Sequence, residues 1–329
     1  MADVIYQKIN TSEYLNIKSK PVHVKEQLEI KILDNSFLPG AKDDDWFAHS
    51  ALPALKLIEK ERPGEIKSFL SIGSGPGLDV LASAEVFGSK KLVLTDLHEN
   101  IVESGVQNVK ANLLEPEKVE VNGYTGDIFE PLRSRTNSNE NQRFDIIYEN
   151  LPNIPLAENE DINKLRSSSR CLEKRSEDIP KEIKDALLDL HYLAIKQVHE
   201  FLNKNGALIS LISGVIPIDT IKSLEKYIDG VKIDIYYYNW NIQTSFYSVI
   251  NDYAKQEEHG YGPFIFYREN DLKKAFEGVS DSESGKKARD IEKSLADKRI
   301  TATEALKRFN QGENIGYTIT ILKTTIIDQ

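Results

Sequence analysis

The sequence predicts an α/β protein built on a doubly wound, seven-stranded sheet, with an N-terminal extension and a large insertion between the last two strands. Three observations lead there. Between Phe69 and about Thr220, short apolar runs alternate with helix-length segments, the pattern of a parallel sheet with helices on its faces. The first run closes on a glycine-rich turn, Ile72–Gly73–Ser74–Gly75–Pro76–Gly77, directly before a helical segment. Two further strand-like runs, Val231–Tyr238 and Tyr317–Lys323, stand far apart in the chain.

Residues 1–65 form the extension, expected to pack on the core. Within it, Leu28–Ile32 alternates apolar and polar residues as a strand does. Ser50–Arg62 reads as a helix, with Leu52, Leu55 and Ile58 at helical spacing and Ser50 as N-cap. Strands follow at Phe69–Ile72, Lys91–Thr95, Val119–Tyr124, Phe144–Tyr148 and Ala207–Ser213, and helices over 77–88, 99–113, 181–203 and 219–228. The polar stretch 133–143 reads as a surface loop, and 157–180 as a cover above the strand ends. The core is thus 66–238 with 315–329, and 239–314 is the insertion, a cover for substrate followed by a charged helix. An aromatic-rich part spans 236–253. The segment 284–310 reads as a solvated helical face with i,i+4 charge pairs, partner binding being the alternative.

Composition narrows the function. The 329 residues can bury a sizeable core, and 40% hydrophobic with 29% charged residues is ordinary for a globular protein. No apolar run approaches the roughly 20 residues of a membrane-spanning helix, and residues 1–20 lack a signal-peptide core. No membrane partner is therefore expected, and the cytoplasm is the default location. A net charge of −10 argues against a nucleic-acid substrate, whose phosphates call for Lys and Arg. Cys171, the single cysteine, cannot form an internal disulfide, and six scattered histidines show no ligand spacing, so no structural metal is expected. The oligomeric state is not readable.

The chemistry-bearing residues fall at the carboxyl ends of the predicted strands, where doubly wound folds bind ligands. Gly73, Gly75 and Gly77 permit tight backbone turns and close approach of a ligand. A nicotinamide dinucleotide fingerprint fits poorly, because Leu78 stands where its third glycine belongs. GxGxG suits S-adenosylmethionine, whose amino-acid end needs backbone contact without a pyrophosphate. Asp96, with Leu97 beside it, ends the second strand about 20 residues on, the distance at which an acid meets ribose hydroxyls. Capping the next helix is its alternative. Asp127 and Ile128 follow the third strand and could take the adenine amine and cover the ring, although Asp127 could simply form the turn. The fourth strand runs into Asn150–Leu151–Pro152–Asn153–Ile154–Pro155. Asn150 offers one acceptor and two donors there, on a loop that two prolines stiffen, an arrangement that can hold a neutral nitrogen by its N–H hydrogens.

From about Ser68 to Ser213 the chain resembles class I S-adenosylmethionine-dependent methyltransferases, and most of all the branch containing the release-factor glutamine methyltransferases. The resemblance rests on IGSGPG at 72–77, GDIFEPL at 126–132, the stretch 187–212, and residues 150–155. Those six residues match the branch's Asn-Pro-Pro-Tyr-Ile-Pro at the asparagine, second proline, isoleucine and last proline. Leu151 and Asn153 depart from it. The resemblance implies a Rossmann-like methyltransferase core and cofactor contact from Gly73, Ser74, Gly75, Gly77, Asp96, Leu97, Asp127, Ile128 and Asn150. It also implies that Asn150 orients the substrate. The missing tyrosine, the absence of that branch's helical N-terminal domain, and the insertion point away from its protein-glutamine substrate.

Trp46, Phe47, Pro152, Asn153, Tyr192, Tyr238 and Trp240 are the candidates to line an acceptor pocket, each aromatic having core packing as its alternative. Asp43, Asp44, Asp45, His49 and His191 lie in the same stretches. The expected reaction is in-line methyl transfer to a small molecule, at nitrogen of an amino-acid-like or natural-product acceptor, with no general base identifiable. Methylation of a protein glutamine amide and a non-catalytic adenosylmethionine-binding module are the rival readings.

Overall fold

A computed structural model describes residues 4–34, 36, 45–133, 142–154, 176–242 and 249–327. Asp43, Asp44, Pro155, Cys171, and most of the predicted 133–143 and 157–180 segments lie outside the described residues. The N-terminal part holds β1 (Ile5–Asn10), α1 (Thr11–Tyr14), β2 (Gln27–Ile32), a π-helical turn at Phe47–Ala51, and α2 (Leu52–Glu61). The alternating region follows as β3 (Ser68–Ile72), α3 (Leu78–Phe87), β4 (Lys91–Asp96), α4 (Glu99–Asn112), β5 (Glu120–Thr125), α5 (Glu130–Arg133), β6 (Phe144–Glu149), α6 (Lys181–Asp185), α7 (Asp189–Gln197) and β7 (Leu202–Ser213). Then come α8 (Ile218–Lys222), β8 (Val231–Ile242), α9 (Val249–Glu258), β9 (Ile265–Arg268), α10 (Glu269–Ala275), α11 (Asp281–Ser294), β10 (Ile300–Thr301), α12 (Ala302–Asn310) and β11 (Ile315–Ile326).

The central sheet is mixed. Strands β5, β4, β3, β6 and β7 lie side by side in that order, all parallel, and β11 joins β7 antiparallel. β8 takes the far edge of β11. Gly316 pairs with Ile242 of β8 and with Tyr267 of β9, so β9 sits on the other edge of β11, beyond the carboxyl end of β7. β10 pairs with β9. The sheet therefore has nine strands where seven were expected. Both additions come from the predicted insertion, and runs of four and two residues are too short to show a period in sequence.

Two other expectations are corrected. The helix foreseen over 181–203 is broken, because Leu187 adopts φ +57° between α6 and α7, and β7 already begins at Leu202. The charged 284–310 segment is two helices, α11 and α12, with β10 between them.

Strand interiors β3, β4 and β6 are buried apolar runs, as a sheet covered on both faces requires. Residues of the first 65, among them Ile9, Tyr14, Leu28, Ile30, Leu52 and Leu55, share one hydrophobic cluster with these strands. The β1–β2 hairpin is tied down by polar groups. Asn112 on α4 accepts from Glu29 N–H (2.9 Å) and donates to Glu29 O (3.0 Å). Asn108, one turn earlier, does the same at Lys31 (2.9 and 2.8 Å). Two side-chain amides thereby take the place of a neighbouring strand. No helix among the described residues is long and apolar enough to cross a membrane.

Candidate functional site

The carboxyl ends of β3, β4, β5 and β6 meet at one edge of the sheet. Past β3 the chain turns through Gly73, Gly75 and Gly77, at φ +68°, +50° and +83°, a region that side chains with a Cβ rarely adopt. Gly73 and Ser74 N–H both donate to Thr95 O, at 2.8 and 3.0 Å, which fastens the turn to β4. The glycines do different work. A Cβ on Gly77 would stand 3.0 Å from Val109 Cγ2 and 3.2 Å from Gly105 O, so this position lets α4 pack closely. A Cβ on Gly75 would meet nothing within 4 Å, so its side of the turn is open. The buried Ser74 Oγ has no partner among the described residues.

Asp96 is half-buried at the end of β4. Its carboxylate accepts from Gly75 N–H (3.2 Å) and His98 N–H (3.4 Å), and its main-chain oxygen accepts from Gly126 N–H (3.0 Å). Burial pushes this carboxyl above its usual value, against the opposing effect of those hydrogen bonds. Leu97 is 47% exposed. Asp127 is half-buried, and Ile128 is buried with φ +48°, an uncommon and costly conformation for a β-branched residue. Glycine turn, Asp96, Asp127 and Ile128 thus lie on consecutive strand ends.

At the end of β6, Asn150 and Pro152 are half-buried. Leu151 turns inward, its Cδ2 lying 3.5 Å from where a Cβ on Gly73 would be. Asn153 is buried, and its Nδ2 donates to Leu187 O at 3.1 Å. Its amide group is therefore engaged in holding the backbone between α6 and α7. Glu149 and His191 are both 0% exposed, with Nδ1 of the histidine 2.8 Å from the carboxylate.

The opposite face of the sheet carries an acidic group of which the sequence reading singled out only the stretch around Asp45. Ser71 and Tyr148 are in register on β3 and β6. Ser71 Oγ donates to Asp79 on α3, and burial drives the Asp79 carboxyl up to about 7. Asp45 accepts from Tyr14 Oη (3.0 Å) and from the N–H groups of Phe47 and Ala48 (3.0 and 3.2 Å), and burial raises its carboxyl too. Phe47 meets the Tyr148 ring edge-on at 5.6 Å. The signal available in sequence was Asp79 itself, one carboxylate in the otherwise apolar turn Leu78–Leu81.

The remaining candidates separate. Trp46 is half-buried with its ring 5.4 Å from Tyr317, and Trp240 is half-buried with its carbonyl 3.0 Å from His49 Nε2, so both lie where β8 and β11 approach the π-helical turn. Tyr238 and Tyr192 are buried. Tyr238 packs against Phe276 at 5.5 Å in a small second core under α11, and Lys196 Nζ sits 5.3 Å over the Tyr192 ring. Phe246 and Tyr247, also in the aromatic stretch, lie outside the described residues. Among the described residues no cluster of three or more His, Cys, Asp or Glu could hold a metal ion.

No family model matches the sequence, and no curated protein matches it. Among solved structures the chain is similar to a ribosomal protein L11 methylase from Lactobacillus delbrueckii subsp. bulgaricus, at 14% identity and TM-score 0.35, over 60% of this chain and 74% of that one. It is also similar to the YcgJ protein of Bacillus subtilis, at 12% identity and TM-score 0.40, over 84% and 99%. A third is a TehB-like SAM-dependent methyltransferase from Corynebacterium glutamicum, at 15% identity and TM-score 0.33, over 57% and 75%. Likeness at this level carries no argument about what this chain binds.

Proposed function

We propose that this chain is an S-adenosylmethionine-dependent methyltransferase acting on a small molecule, at nitrogen of an amino-acid-like or natural-product acceptor. One observation carries the reading: an asparagine, a glycine turn and two carboxylates stand on the ends of the adjacent strands β6, β3, β4 and β5, an arrangement that suits a nucleoside with an amino-acid tail. The residues fit such a group. The open side of Gly75 leaves room for close backbone contact, and the unpartnered Ser74 Oγ supplies a hydrogen bond. Asp96 keeps acceptor capacity for ribose hydroxyls beyond its two backbone bonds. Leu97, Asp127 and Ile128 would hold the base.

The bound cofactor would supply an electrophilic methyl group, and the protein's part is orientation and exclusion of water. Asn150 would accept the N–H hydrogens of the acceptor and direct its lone pair. The half-buried Trp46, Pro152 and Trp240 would offer surface to the acceptor, with Phe47 and Asn153 shaping that surface from behind, while Tyr192 and Tyr238 serve packing.

Calorimetry with S-adenosylhomocysteine, followed by a tritiated-methyl assay against small-metabolite pools, protein extract and RNA, tests the reading. Label in the small-molecule pool is expected. Label in protein or RNA would overturn the acceptor class, and binding without any transfer would make the chain a binding module. Asn150→Ala should lower turnover about 10- to 100-fold while leaving cofactor affinity within about twofold, the pattern of an interaction realised in the transition state.

A further inference from the structure

We propose that the buried pair Glu149–His191 is a positioning device that locks the loop after β6 against the glycine turn. The functional part of this proposal rests on the methyltransferase reading. Glu149 is the last residue of β6, and its side chain points to the face opposite Tyr148, toward α7. Both members of the pair are fully buried. Nδ1 of His191 lies 2.8 Å from Oε1, and the tautomer that carries its proton on Nδ1 donates it to that oxygen. The second oxygen, Oε2, accepts the Leu151 N–H at 3.2 Å, which folds the chain back at Asn150. Leu151, fixed in this way, lies against Gly73.

One carboxylate thus serves two donors. One comes from a helix and the other from the loop that carries Asn150. The chain of contacts runs from His191 through Glu149 and Leu151 to Gly73, joining the proposed acceptor loop to the proposed cofactor turn. A buried carboxylate is expensive to desolvate, so burial of this one calls for partners that satisfy it. A simple packing role would be met equally well by an apolar pair of the same size. His191 Nε2 has no partner among the described residues, so the imidazole's defined work is the bond to Glu149.

The chemistry dictates the variants. A glutamine has one carbonyl oxygen where a carboxylate has two, so Glu149→Gln can serve both His191 and Leu151 only by moving the imidazole proton to Nε2, where the described residues offer it no acceptor. His191→Leu removes the donor, whereas His191→Asn keeps an N–H donor as many bonds from the main chain as Nδ1. Amide hydrogen exchange at Leu151, read by NMR on the full chain, is the first measurement. Losing one such bond is expected to speed exchange there about 5- to 10-fold in Glu149→Gln and His191→Leu, with His191→Asn restoring protection. S-adenosylhomocysteine affinity is the second, expected to weaken about 3- to 10-fold in the first two variants and to recover in the third. A pair that merely packs would change exchange uniformly, through global stability, and His191→Asn would not rescue it. Unchanged Leu151 exchange in the first two variants, or exchange that changes without a matching change in affinity, overturns the proposal. Should Glu149→Gln fail to fold, the two histidine variants decide alone. Wild-type protein that binds no S-adenosylhomocysteine would sink the methyltransferase reading, and the exchange data would still decide whether the pair fixes the loop.

Discussion

Gly75 and Gly77 are two residues apart, share a left-handed backbone and call for opposite experiments. At Gly77 a methyl group meets Val109, Leu94 and the Gly105 carbonyl, so the cost of Gly77→Ala combines conformation with overpacking. We expect a loss of about 2–4 kcal/mol in urea unfolding. At Gly75 no atom stands in the way, and Gly75→Ala should cost about 1 kcal/mol, the conformational part alone. On the proposed cofactor reading it should instead weaken S-adenosylhomocysteine binding by at least about tenfold, because the added methyl occupies the open side of the turn. Equal effects of both substitutions on stability and binding would contradict this division of labour. The glycine spacing was legible in the sequence. The division was not, because it depends on which side of the turn α4 covers.

Strand and helix elements divide in the same way between what a sequence displays and what it conceals. Apolar runs of five or six residues made β3, β4 and β6 readable, and the 3.6-residue period made α2 and α4 readable. The break between α6 and α7 was not, since residues 181–197 hold neither glycine nor proline. It depends on Leu187, whose carbonyl is held by Asn153 from another segment. Asn108 and Asn112 are a further case. An i,i+4 asparagine pair inside a helix reads as poor helix propensity, and the reason for it appears once β2 lies alongside. Asn112→Ala should leave the Glu29 main-chain groups unpaired in a partly buried setting and cost about 1–3 kcal/mol. Asn112→Asp retains the acceptor but loses the donor, and should fall between. Chemical denaturation of the three proteins checks the order.

The molecule as a whole places its polar chemistry on both sides of the sheet, just below one edge. Three carboxyls there, Asp45, Asp79 and Asp96, are raised by burial, Asp79 to about 7 from 3.8. A folded protein that holds protons which its unfolded chain releases gains stability at low pH. The contribution of Asp79 is complete below pH 3.8 and is lost as pH rises through about 7. The urea midpoint should therefore decline between pH 5 and pH 8. Asp79→Asn, whose carbonyl can still accept from Val80 N–H and whose amide can donate to Ser71 Oγ in place of accepting from it, should flatten that decline; an unaltered slope would mean that Asp79 titrates as an ordinary carboxyl. The parts of the site within reach of sequence reading were those set by strand ends. The acidic group and the Glu149–His191 pair come from residues that meet only after α2, α3 and α7 dock on the sheet. The amide rungs of Asn108 and Asn112 have a consequence beyond stability. A bare strand margin is a template on which another chain can add itself, the first step toward swapped dimers and fibrils. With its outward N–H and C=O groups at Glu29 and Lys31 already answered from within, β2 presents no such template, and on that side the hairpin is shielded from its own kind by a helix.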